Sequence, residues 1–157
     1  MSKLKAGTAV GAAGSNSGSD SIANFNQARG SNFADTMLGS DRTDIAEFFE
    51  GRNGNDSIDG RGGLDMVAYS YANGAVTVNL VTGTGGGADA RSDVLVNIEA
   101  IQGSAFNDLL TGGNAANGTV VGLNDFVGVG NQLTEFFRGG AGNDTMDGGQ
   151  GYDTVFY

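Results

Sequence analysis

The chain has 157 residues, a length that fits one domain and can bury a real core. Eighteen acidic residues against eight basic ones give a net charge of −10, glycine numbers 29, and Pro, His, Cys and Trp are absent. This balance argues against a nucleic-acid or anionic-membrane partner, which must be met by Lys and Arg, and excludes a disulfide scaffold, a thiolate metal site and all catalysis that relies on His or Cys.

In chain order, the opening MSKLKAGTAVGAAG has no apolar signal-peptide core, and no run approaches the roughly 20 apolar residues of a bilayer span, so a soluble segment without membrane insertion is expected. From Gly30 comes a nine-residue unit, GSNFADTML (30–38). Two more follow, GRNGNDSID (51–59) and GRGGLDMVA (60–68). The stretch YSYANGAVTVNLVTGTGGG then reads as a spacer with an apparent strand at VTVNL. Its GTGGGA run reads as a turn, because ADARSDV offers no helix to hold a pyrophosphate. After SDVLVNIEAIQ come GSAFNDLLT (103–111), an insertion at about 114–132, GGAGNDTMD (139–147) and GGQGYDTVF (148–156).

Every unit has Asp at position six and a large apolar residue at position eight. Glycines at the front allow positive φ and a tight turn, and the three residues after Asp form a short strand with its middle side chain pointing inward. Two units make one coil, so that strands stack in parallel and Met37, Ile58, Val67, Leu110, Met146 and Val155 share one core. Turns of alternate units then lie one above another, and their carboxylates need a cation between them. The larger pattern is tandem. GSNFADTML recurs as GSAFNDLLT 73 residues on, and EFFEGRNGNDSIDG recurs as EFFRGGAGNDTMDG 88 residues on. This gives a first unit at 1–79 and a second at 80–157, expected to continue into neighbouring repeats of a longer chain.

These nonapeptides resemble the RTX (repeats-in-toxin) calcium-binding repeat GGxGxDxUx. The resemblance implies an all-β parallel β-roll, or β-helix solenoid, with calcium held between stacked turns by position-six carboxylates and turn carbonyls. Carried over by position, it implicates Asp35, Asp56, Asp65, Asp108, Asp144 and Asp153 with the turn glycines Gly51, Gly60, Gly139 and Gly148. Calcium suits an all-oxygen donor set. Counting back from the glycines puts Glu47, Glu99 and Glu135 at position six of degenerate repeats, and Asp93 fits another. Two readings stand for these four, a reaching ligand or a solvated charge at a strand edge. Asp59 and Asp147, at position nine, either help ligate or orient the next turn. Asp41, Asp44, Asp89 and Asp125 read as loop charges.

NDSIDG and NDTMDG resemble the front of an EF-hand loop, but position twelve is Met66 or Thr154 instead of Glu. The aromatics read as core or strand filling, with Tyr69, Tyr71 and Tyr157 the ones to inspect. With a thin core and repelling carboxylates, the chain is expected to order only as calcium arrives. What the resemblance implies is a calcium-dependent structural module, not an enzyme, of a larger bacterial protein exported by type I secretion and folded outside the cell. The alternative is a carbohydrate- or surface-binding module, with polysaccharide or the cell surface as partner.

Overall fold

The computed structural model describes residues 7–11, 19–22, 26–88, 92–113, 135–151 and 153–157, the first two segments by backbone alone. Asp89, Asp125 and the 114–132 insertion lie outside the described residues. Glycine-punctuated apolar triplets give short strands: β1 (Gly7–Gly11), β2 (Ser19–Ile22), β3 (Gln27–Arg29), β4 (Asp35–Leu38), β5 (Ala46–Glu50), β6 (Ser57–Asp59), β7 (Leu64–Ala68), β8 (Val76–Asn79), β9 (Thr84–Gly87), β10 (Asp93–Val96), β11 (Ala100–Gln102), β12 (Leu109–Thr111), β13 (Phe136–Arg138), β14 (Thr145–Asp147) and β15 (Thr154–Phe156). No helix occurs among the described residues.

The strands form two sheets. The six-stranded sheet runs β3-β5-β7-β11-β13-β15, in chain order and parallel throughout. From β3 to β8, and again from β10 to β15, the chain alternates between this sheet and a nine-stranded one ordered β14-β12-β8-β9-β10-β6-β4-β1-β2.

The second sheet corrects the expectation of a purely parallel architecture. It is mixed, with β8–β9, β9–β10, β1–β2 and β1–β4 antiparallel. A return over Leu80–Gly83 is too short for a parallel crossover and can only reverse the strand. Gly83 at φ 65 and the Thr82 N–H bonded to Asn79 Oδ1 at 3.0 Å close that turn. The GTGGGA run is therefore mostly strand β9 and not a turn. Its Gly85 has no room for a side chain, because a Cβ there would strike the Tyr69 hydroxyl.

The core lies between the sheets. Met37, Ile58, Val67 and Leu110 are buried in it with Phe49, Tyr69, Val76, Val78, Leu95, Ile101 and Phe137, and Met146 packs against them. Position eight thus points inward in five units. Val155 is the correction, 41% exposed on β15, which among the described residues is an edge strand paired with β13 alone. A second, smaller cluster covers the other face of the six-stranded sheet: Ala46, Leu64, Ala100 and Phe136, flanked by Phe48, Met66 and Phe156.

Candidate metal centre

The alternation of strands brings the position-six carboxylates to the turns in two stacks. Before the strands of the nine-stranded sheet, the Asp35 N–H donates to Asp56 Oδ1 (2.8 Å), the Asp56 N–H to Asp93 Oδ1 (2.8 Å) and the Asp108 N–H to Asp144 Oδ1 (2.9 Å). The hairpin interrupts this stack, and there the Val76 N–H donates to Asp108 Oδ1 at 2.8 Å. The other stack follows the six-stranded sheet. Glu47 is in register with Asp65, the Asp65 N–H donates to Glu99 Oε2 (3.1 Å), the Phe136 N–H reaches Glu99 O (3.0 Å), and the Glu135 N–H donates to Asp153 Oδ1 (3.3 Å).

Glu47, Asp93, Glu99 and Glu135 are each at most 2% exposed, so the reading of solvated edge charges does not hold for them. Asp35, Asp56, Asp65 and Asp108 are also buried, Asp144 is half-buried and Asp153 is exposed. Asp59 and Asp147 organise turns: Asp59 Oδ1 accepts from the Arg61 N–H (3.0 Å) and Asn97 Nδ2 (2.8 Å), and Asp147 Oδ1 from the Gly149 N–H (3.1 Å). Asp41 is exposed, and Asp44 is paired with Arg42 at 2.6 Å.

The glycines divide the work differently from the simple expectation. In the four strongest units, positive φ falls at positions two and four, where Arg52 (φ 71) and Arg61 (φ 67) tolerate it at position two. Position-one glycines make room for oxygen. A Cβ on Gly30 would lie 2.6 Å from both Asp35 Oδ2 and Gly51 O, and one on Gly60 would meet Asn97 O and, at 2.6 Å, Asp65 Oδ2. Gly51, Gly139 and Gly148 each face the carboxylate of their own unit in the same way. Each such point is a place where a carboxylate and, in several turns, a carbonyl converge.

Sequence reasoning missed Gly39 and Gly112, which supply this cradle to Glu47 and Glu135 beside the carbonyls of Gly60 and Gly148. The signal was present, since both stand immediately after position nine of GSNFADTML and GSAFNDLLT, where the next unit begins. It also missed the donors at position two. Ser31 gives Asp35 Oδ2 its N–H (2.6 Å) and hydroxyl (3.0 Å), Ser104 treats Asp108 alike (2.6 and 2.7 Å), the Ser40 N–H bonds Glu47 Oε2 (2.8 Å), and the Gly113 N–H bonds Glu135 (2.8 and 2.9 Å).

Burial governs the electrostatics. It pushes Asp65 up to about 9, with Glu99 and Glu47 adding repulsion, and Asp56 up to about 7 against the Asp35 N–H that favours its charge. Glu99 and Glu135 rise to about 7 for the same leading reason. Asp93 rises by burial despite the Asp56 N–H and the Tyr69 hydroxyl. Asp56 Oδ2 and both oxygens of Asp65 are buried without a hydrogen bond of good geometry, although the Glu47 backbone N–H lies near enough to Asp65 to favour its charge. Such oxygens are costly unless a proton or cation satisfies them. Among the described residues no three carboxylates converge on one point, so the arrangement offers pairs of carboxylates supplemented by carbonyls. An all-oxygen, irregular donor set of this kind fits calcium, which takes six to eight oxygens.

Comparison with curated proteins and with solved structures finds no match. The family model for the RTX calcium-binding nonapeptide repeat matches in four copies, over residues 43–69, 98–117 and 130–156. The chain thus carries RTX calcium-binding nonapeptide repeats in these three stretches, and such repeats bind Ca2+.

Proposed function

We propose that this chain is a calcium-stiffened structural module of a larger secreted bacterial protein, kept unfolded where calcium is scarce, exported by type I secretion and folded outside the cell. The observation that carries this reading is the set of buried, unpartnered oxygens on Asp56 and Asp65. A fold that buries such groups is incomplete until cations neutralise them. Cytosolic calcium is too low for weak sites, whereas extracellular modules commonly bind at roughly 10⁻⁴ to 10⁻³ M. With calcium bound, the alternation of strands between two sheets is read as the winding of a β-roll interrupted by one hairpin. The module is read as structural and not as an enzyme, because its carboxylates face one another across turns.

Limited proteolysis tests the reading: the chain should be cut throughout at submicromolar calcium and resist at millimolar calcium. Equal digestion under both conditions would overturn it. The carbohydrate-binding reading finds its support in one cleft of about 240 Å³, lined by Asn32, Arg52, Asn53, Tyr71 and Asn73, where Tyr71 is 68% exposed beneath the Arg29 guanidinium. Screening the calcium-loaded chain and its Tyr71→Ala variant against a polysaccharide panel separates the two.

A further inference from the structure

The segment DVLVNIE, Asp93 to Glu99, lies between the two groups of repeats and has no glycine-rich turn of its own. Asp93 falls outside the residues that match the repeat family, and Glu99 stands at the start of the matched stretch 98–117. The fold nevertheless threads this segment through both carboxylate stacks. Strand β10 pairs in parallel with β6, and β11 with β7, which carries Asp93 to Asp56 and Glu99 to Asp65. All four carboxylates are at most 2% exposed.

The unpartnered buried side-chain atoms among the described residues are Asp56 Oδ2, Asp65 Oδ1 and Asp65 Oδ2. They belong to the two repeat carboxylates that face this segment. In the units at 30 and 103 serine does the quenching, Ser31 for Asp35 and Ser104 for Asp108. At the equivalent position the two seam turns carry Arg52 and Arg61. The segment brings a neutral oxygen as well, for Asn97 O and Asp65 Oδ2 both lie where a Gly60 Cβ would be. Like charges on adjacent turns, desolvated and short of donors, leave a cation as the missing partner.

We propose that residues 93–99 are themselves a calcium-binding element, with one ion between Asp56 and Asp93 and another between Asp65 and Glu99, assisted by the Asn97 carbonyl. This rests on the reading of the repeats as calcium sites. The ions act as a seam: each takes one carboxylate from the block at 51–68 and one from the linking segment, so neither binds fully until both are in place. Calcium then couples the two groups of repeats into one folding unit.

The Tyr69 hydroxyl donates to Asp93 Oδ2 at 3.1 Å, which supplies a local probe. Terbium bound in place of calcium between Asp56 and Asp93 would sit beside this phenol and emit when tyrosine is excited. The experiment takes the full chain as wild type, D93N, E99Q, Y69F and D144N, and measures calcium stoichiometry by equilibrium dialysis together with tyrosine-sensitised terbium emission. D93N and E99Q should each bind fewer ions at saturation than wild type. D93N and Y69F should lose a share of the emission that D144N retains, and Y69F should keep its calcium stoichiometry. D93N and E99Q lie on opposite stacks, so if one fails to fold the other still reports. Wild-type stoichiometry in both, with a reduced value in D144N, overturns the seam and leaves the repeat sites standing. A wild-type chain that binds no calcium overturns both.

Discussion

The Asp108 N–H donates to Asp144 Oδ1 across 36 residues of sequence, and the Asp35 N–H makes the same bond to Asp56 across 21. The fifteen additional residues of the second copy leave this rung unchanged, at 2.9 Å against 2.8 Å. Rungs are therefore set by strand pairing, β12 on β14 and β4 on β6, and the connections between them can vary in length.

That relationship singles out Asp144. Asp144→Asn keeps an oxygen for the Asp108 N–H but removes a ligand charge. Calcium affinity should fall, and the folded state should lose on the order of 1–3 kcal/mol at limiting calcium. Asp41→Asn, at an exposed loop position, should leave the binding isotherm in place. Isothermal titration calorimetry of both variants decides whether the chain responds to register or only to net charge.

Glycine position can be tested apart from glycine content. Gly60→Ala pushes a methyl against Asn97 O and Asp65 Oδ2 and should cost about 1–3 kcal/mol, the usual range for forced overpacking. Gly62→Ala meets nothing closer than Asp41 Cα at 3.5 Å and should be neutral. Melting temperatures in saturating calcium give the comparison.

The core has its own contrast. Ile58, fully buried between the sheets, should cost about 2–5 kcal/mol on truncation to Ala. Val155→Ala, at a side chain 41% exposed, should cost well under about 1 kcal/mol. Chemical denaturation in calcium measures both.

Stability without calcium should depend on pH in an unusual direction. Asp65 is raised to about 9 and Asp56, Glu99 and Glu135 to about 7 in the folded chain, above their unfolded values near 4. The folded state thus holds more protons, so stability is greatest below about pH 4 and is lost as pH rises through 7 towards 9. In chelator the β signal should be larger at pH 5 than at pH 8, where the chain should be coil-like. Calcium should reverse that order, since it needs the ionised carboxylates.

Much of this was legible in the sequence because each feature has a local cause. Asp at position six and an apolar residue at position eight are three-residue strands in miniature, and Ile58 and Val67 sit where that spacing puts them. The position-two donors Ser31 and Ser104 were not read from the sequence, because their bonds to Asp35 and Asp108 depend on how the turn closes. The β8–β9–β10 hairpin was not legible. GTGGG has no apolar alternation, and it becomes a strand because Gly85 leaves room for the Tyr69 hydroxyl on its way to Asp93, a contact between residues 24 apart. The exposure of Val155 was hidden for a similar reason, as it depends on which strands lie beside β15 and not on the nonapeptide itself.

Far-UV circular dichroism of the full chain, titrated from chelator to millimolar calcium at neutral pH, tests calcium-dependent folding most directly. Ions that bind the folded state alone stabilise it by about 2.7 kcal/mol per site at a hundredfold excess over Kd, so several sites acting together should give a steep transition. The expected result is a coil-like spectrum in chelator, a cooperative rise in β signal with calcium, and poor substitution by magnesium, which demands a tighter octahedral shell. An identical spectrum and melting temperature with and without calcium would contradict it.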